Sequence, residues 1–159
     1  MNENYLHQIW KNKRLPFHQL KLVSGQDFTL LHQGVHNNES GPDFFCGKVK
    51  IKSLNNKYRQ INKATDVLSF PIFENLRPDK KVSEKNLPQI ELGDLVICKE
   101  LAKTQAVEFK ISYEQEVIHL AVHGFLHLLG FDHEVSSKEE KIMEKLEAEL
   151  VNKIYKKLK

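Results

Sequence analysis

Residues 122–134 read VHGFLHLLGFDHE, and put three histidines, two glycines and an aspartate into thirteen residues that otherwise resemble a buried apolar helix. His123 and His127 are four apart, so a helix carries both imidazoles on one face, a few ångströms from each other. Gly130 adopts a left-handed conformation without steric cost, which ends such a helix and turns the chain back. His133, six residues after His127, then reaches the same point from outside the helix. Three neutral imidazoles favour Zn2+ and leave a fourth position open for water, as in a catalytic rather than a structural site. An ion held in this way lowers the pKa of a bound water toward ~7. The expected metal ligands are therefore His123, His127 and His133, around one zinc ion. His119 lies one turn earlier, about 6 Å along the axis from His123, and is expected as a neighbour, not a ligand. Asp132 and Glu134 flank the third histidine; they either orient an imidazole by accepting its second N–H or are solvated turn residues.

The spacing matches the zincin pattern HExxHxxGxxH in every element but one, since Gly124 stands where that pattern has glutamate. The missing glutamate is the general base of zinc proteases, so peptide hydrolysis is disfavoured.

The rest of the chain bounds the setting. Its 159 residues, 40% hydrophobic and 28% charged, suit one domain with one core. There is no run of eighteen apolar residues, and the N-terminus lacks the apolar stretch and cleavage site of a secretory signal. A cytosolic protein is expected. Cys46 and Cys98 each sit in an apolar run and read as reduced core residues. A net charge of +3 permits an anionic partner such as RNA without demanding one. The lysines at 153, 156, 157 and 159 suit either phosphate contact or a solvated helix end.

Helical spacing of Leu6, Ile9 and Trp10 predicts a short helix over residues 3–13, and DFTLLH and DFFCGKVKIKSL read as strands. LNNKYRQI reads as a short helix. Residues 65–73, TDVLSFPIF, read as a strand buried on both faces or, because of Pro71, at a sheet edge. Residues 75–88 are polar, carry two prolines and predict a long loop. IELGDLVICKE is the clearest strand, followed by a helix over KELAKTQAVEFK. Ser112 and Gln115 form a capping-box pattern that opens a helix running to about Leu129. Ser137 and Glu140 repeat it ahead of a last helix with the stripe Ile142, Leu146, Leu150, Ile154 and Leu158. The order of elements predicts an α+β fold: a small mixed sheet with helices packed mainly on one face, one of them a zincin-like metal-binding helix.

HGFLHLLGFDH resembles the signature of the YbeY family of bacterial rRNA maturation factors. LNNKYRQINKATDVLSFP, LGDLVI and the Met-x-x-Leu-Glu segment at Met143 resemble it in order and spacing, so the likeness spans about residues 54–150. It implies a metal-dependent, single-strand-specific endoribonuclease that matures rRNA, the small-subunit 3′ end especially, and acts in ribosome quality control. It also implies RNA and ribosomal subunits as partners, with no membrane. The family binds zinc through the histidines matching His123, His127 and His133, and its LNxxYR arginine, here Arg59, faces the metal cleft and serves activity. A physical reason fits: phosphodiester cleavage builds charge on non-bridging oxygens, and a guanidinium holds two of them through paired N–H donors. Without the resemblance, Arg59 reads as a surface ion-pair partner.

The N-terminal 52 residues do not resemble a YbeY start. NNESGPDFFCGKVKI is more similar to the beginning of an uncharacterised bacterial family with a GPDF motif, and Asp43 within it reads as a turn aspartate. One domain over 1–159 is expected, with 1–52 as an atypical segment and 53–159 as the YbeY-like part. Two other functions stay open: a metal-dependent hydrolase of a peptide or small molecule, and a non-catalytic ribosome assembly factor with a structural metal.

Overall fold

The structure is a computed structural model that describes residues 45–72 and 93–158. The expected N-terminal helix, the DFTLLH strand, the 75–88 loop and Asp43 lie outside the described residues.

Among the described residues three strands form one mixed sheet in the order β1-β3-β2. They are β1 (Phe45–Cys46), β2 (Val67–Pro71) and β3 (Gly93–Cys98). β1 runs parallel to β3 and β2 antiparallel to it, with Val67 opposite Ile97 and Pro71 opposite Gly93. β2 is an edge among the described strands, so Pro71, at its end, interrupts no ladder.

The described residues also form four helices: α1 (Lys48–Arg59), α2 (Lys99–Phe109), α3 (Tyr113–Leu128) and α4 (Ser137–Leu158). Side chains of β3 alternate between two cores. Ile97 packs with Ala102, Val117 and Leu120 beneath α3, and Cys98 packs with Ile51 and Leu68 beneath α1. α4 lies on α3, burying Met143, Leu146 and Leu150 against Ile118, Val122 and Leu126. The α+β architecture is as the sequence implies, with α1 covering the face of the sheet opposite α3.

One expected element is different. Residues 43–54 read as a strand, yet only Phe45–Cys46 is extended and a helix starts at Lys48. The alternation Val49, Ile51 is two residues deep. Ile51, Leu54, Asn55 and Tyr58, at helical spacing, define the face that matters, and Val49 is left 86% exposed. The helix read over LNNKYRQI is the second half of α1. It ends on Gln60 in the left-handed region, at φ 59°.

Helix α3 starts where its capping box requires: Ser112 Oγ accepts from the Gln115 N–H at 3.1 Å, and Gln115 Oε1 from the Ser112 N–H at 2.9 Å. The cap of α4 falls one residue before the expected one, since Ser136 Oγ accepts from the Glu139 N–H at 3.2 Å. The thiols of Cys46 and Cys98 are free, partners across β1 and β3, and burial pushes both pKa values up. Among the described residues no helix is long and apolar enough to cross a membrane.

Candidate metal centre

Two features of α3 aim its histidines. The first is the end of the helix. Gly130 sits at φ 86°, its N–H donates to His127 O at 2.9 Å, and the Phe131 N–H donates to Leu126 O at 3.0 Å. This pair of bonds is the Schellman closure, and Phe131 and Leu126, both about 2% exposed, supply its apolar contact. The reversed chain carries His133 back toward His123 and His127.

The second is Gly124. A Cβ there would run into Leu95 Cδ1, Ser69 Oγ and Val67 Cγ2. The helix lies flush on β2 and β3 at this point, and the Ser69 hydroxyl donates to Gly124 O at 3.0 Å. The position that holds glutamate in the zincin pattern faces the sheet in this chain, where a side chain would have to displace Leu95.

The three expected ligands come together. Ring centroids of His123, His127 and His133 are 4.8, 5.2 and 5.2 Å apart, and one ligand nitrogen from each lies within 4.8 Å of the others. His123 Nε2 and His127 Nε2 face each other at 3.1 Å. A tetrahedral zinc ion with bonds of about 2.1 Å sets its nitrogens roughly 3.4 Å apart, so this pair is already close to that spacing. Burial pushes the His127 pKa below its ordinary value of 6.5, helped by His123 and His133; Asp132 and a hydrogen bond to the Phe131 backbone pull the other way. The ring is neutral at neutral pH, as a ligand must be. By donor chemistry and spacing, these residues fit one zinc ion.

Arg59, the last residue of α1, is half-exposed and pairs with Glu134 Oε1 at 3.6 Å, next to the third histidine in sequence. Asp132 Oδ1 accepts from the Glu134 N–H at 2.9 Å, which shapes the turn. The glutamate of the Met-x-x-Leu-Glu segment, to which no role was assigned from the sequence, stands beside the histidines: Glu147 of α4, with Oε1 at 3.2 Å from His123 Nδ1 and 3.5 Å from His119 Nε2. The available signal was its place among Met143, Leu146 and Leu150, a carboxylate on an apolar stripe.

Comparison with known proteins bears on these residues. The family described as Endoribonuclease YbeY matches residues 42–155, twelve residues further toward the N-terminus than the resemblance at 54. A second family, described as Protein of unknown function (DUF2851), matches residues 3–58 and overlaps the first. The chain is 48% identical to an Endoribonuclease YbeY of Caldicellulosiruptor bescii, over 64% of each chain. It is 50% identical to that of Caldicellulosiruptor saccharolyticus over 61% of each chain, and 38% identical to that of Staphylococcus epidermidis over 73% of each. The chain thus spans less than two thirds of the length of the two Caldicellulosiruptor relatives. A solution structure of a Thermotoga maritima protein superposes with a TM-score of 0.50 at 27% identity, over 72% of this chain and 67% of that one.

Proposed function

The chain belongs to the Endoribonuclease YbeY family, and from that premise we propose that it is a zinc-dependent endoribonuclease that cuts single-stranded RNA in rRNA maturation, the small-subunit 3′ end especially, and in ribosome quality control. Ribosomal subunits are its partners and the cytoplasm its location. The chain acts as one domain, with residues 1–52 as an atypical leading segment. The observation that carries the reading is the facing pair of Nε2 atoms, 3.1 Å apart, with His133 closing the triangle.

His123, His127 and His133 hold the ion. Bound there, it supplies a Lewis acid for a phosphoryl oxygen and lowers the pKa of water. Arg59 supplies the second positive charge. Its ion pair with Glu134 is solvent-exposed and worth about 0–1 kcal/mol, so an RNA phosphate readily displaces the carboxylate. The guanidinium then grips two non-bridging oxygens through paired N–H donors and stabilises the charge that grows on them. Peptide hydrolysis is disfavoured, because Gly124 offers no base and a side chain at its position would have to displace Leu95.

The test incubates zinc-loaded protein with single-stranded and duplex RNA, alongside His127→Ala and Arg59→Glu. Cleavage of the single strand alone is expected, near-complete loss of zinc and activity in the first variant, and retained zinc with reduced cleavage in the second. Equal cleavage by all three proteins would identify a contaminating ribonuclease and overturn the proposal.

A further inference from the structure

We infer that Glu147 is a positioning residue of the metal centre: its carboxylate fixes His123 in the Nδ1–H tautomer and so makes Nε2 the ligand atom. The inference rests on the reading of His123, His127 and His133 as an ion site.

The two nitrogens of the His123 ring face different partners. Nδ1 lies 3.2 Å from Glu147 Oε1, and Nε2 lies 3.1 Å from His127 Nε2. A neutral imidazole has one N–H, and an ionised carboxylate only accepts. The proton therefore belongs on Nδ1, and the lone pair of Nε2 points toward the other imidazoles. Without the carboxylate the ring is free to carry its proton on Nε2, which blocks ligation.

Glu147 is placed to do this reliably. Its side chain is 13% exposed, and its neighbours on α4, Met143, Leu146 and Leu150, are buried against α3. The same Oε1 lies 3.5 Å from His119 Nε2, so imidazoles from two successive turns of α3 converge on it. The other nearby carboxylates are engaged elsewhere: Asp132 accepts from the Glu134 N–H, and Glu134 pairs with Arg59. An anionic acceptor on a ligating histidine also raises the basicity of its ligand nitrogen, and loss of such a partner costs about 10–100-fold in metal affinity.

The test measures zinc affinity by competition with a chelating dye for the wild type, Glu147→Gln and Glu147→Ala. Nitrogen NMR of the His123 ring in the metal-free proteins accompanies it. Glu147→Ala should bind zinc about 10–100-fold more weakly, and Glu147→Gln, whose amide oxygen still accepts from Nδ1–H, should recover part of the loss. The His123 ring should be Nδ1–H in the wild type and shift toward Nε2–H in Glu147→Ala, a change that a merely structural role would not produce. Unchanged affinity with an unchanged tautomer overturns the inference. If the wild type binds no zinc, the ion-site reading fails instead, and the metal-free tautomers still decide whether Glu147 holds His123.

Discussion

Ser69 on β2 donates its hydroxyl to the carbonyl of Gly124 on α3 at 3.0 Å, which ties the histidine-bearing helix directly to the sheet. Such contact between a strand side chain and helix backbone requires that the helix residue have no side chain of its own. Gly124→Ala should therefore destabilise the fold although alanine favours helix by about 1 kcal/mol. Overpacking against Leu95 and Val67 costs about 1–3 kcal/mol, so a net loss of about 1 kcal/mol is expected in urea unfolding. Gly124→Glu, which restores the zincin pattern, should lose more than about 3 kcal/mol and acquire no peptidase activity.

The depressed pKa of His127 has a definite sign in solution. Because the folded value lies below the ordinary 6.5, the unfolded chain binds more protons between the two values. Its contribution to stability is complete above about pH 6.5 and is lost as pH falls through the folded value. The melting temperature of metal-free protein should fall on acidification below about pH 6.5, and His127→Gln should flatten that slope.

Glu116 carries the opposite sign. It is 1% exposed within α3, Oε2 has no hydrogen-bond partner among the described residues, and burial raises its pKa, with Asp66 and Glu147 adding to the shift against the attraction of His119. Stability linked to this group is present below the ordinary carboxylate pKa and lost as pH rises through the raised one. Glu116→Gln should stabilise the protein on the order of 1 kcal/mol at pH 8, with a smaller effect at pH 4; an equal gain at both pH values would contradict this.

Asn55 joins α1 to the turn that leads into β2. Its Nδ2 donates to Lys63 O at 2.8 Å while the residue is 3% exposed. Lys63 itself is exposed, so water takes over its carbonyl in Asn55→Ala, and a loss of about 0.5–1.5 kcal/mol in chemical denaturation is expected.

The sequence made the histidine-bearing helix legible because its signals are local. A capping box at Ser112, an i, i+4 histidine pair and a left-handed glycine are each read within one or two turns, and each is found in the structure. Residues 48–54 misled because two apolar residues in alternation fit a strand as well as a helix, and only the packing of Ile51 and Leu54 under β3 decides. Glu147 was invisible as a partner of His123 because the register of α4 against α3 depends on a tertiary contact across twenty-four residues. Gly124 showed in the sequence only as a departure from a pattern; its cause, a helix laid against two strands, is a property of three separate segments.

The Gly130 reversal separates His127 from His133 by a Schellman turn whose own bonds run through His127 O and Leu126 O. Once an ion joins the three rings, unwinding that last turn and releasing the ion become a single event. Amide hydrogen exchange at Gly130 and Phe131 should then slow on zinc addition, so that the backbone keeps time for the residence of the metal.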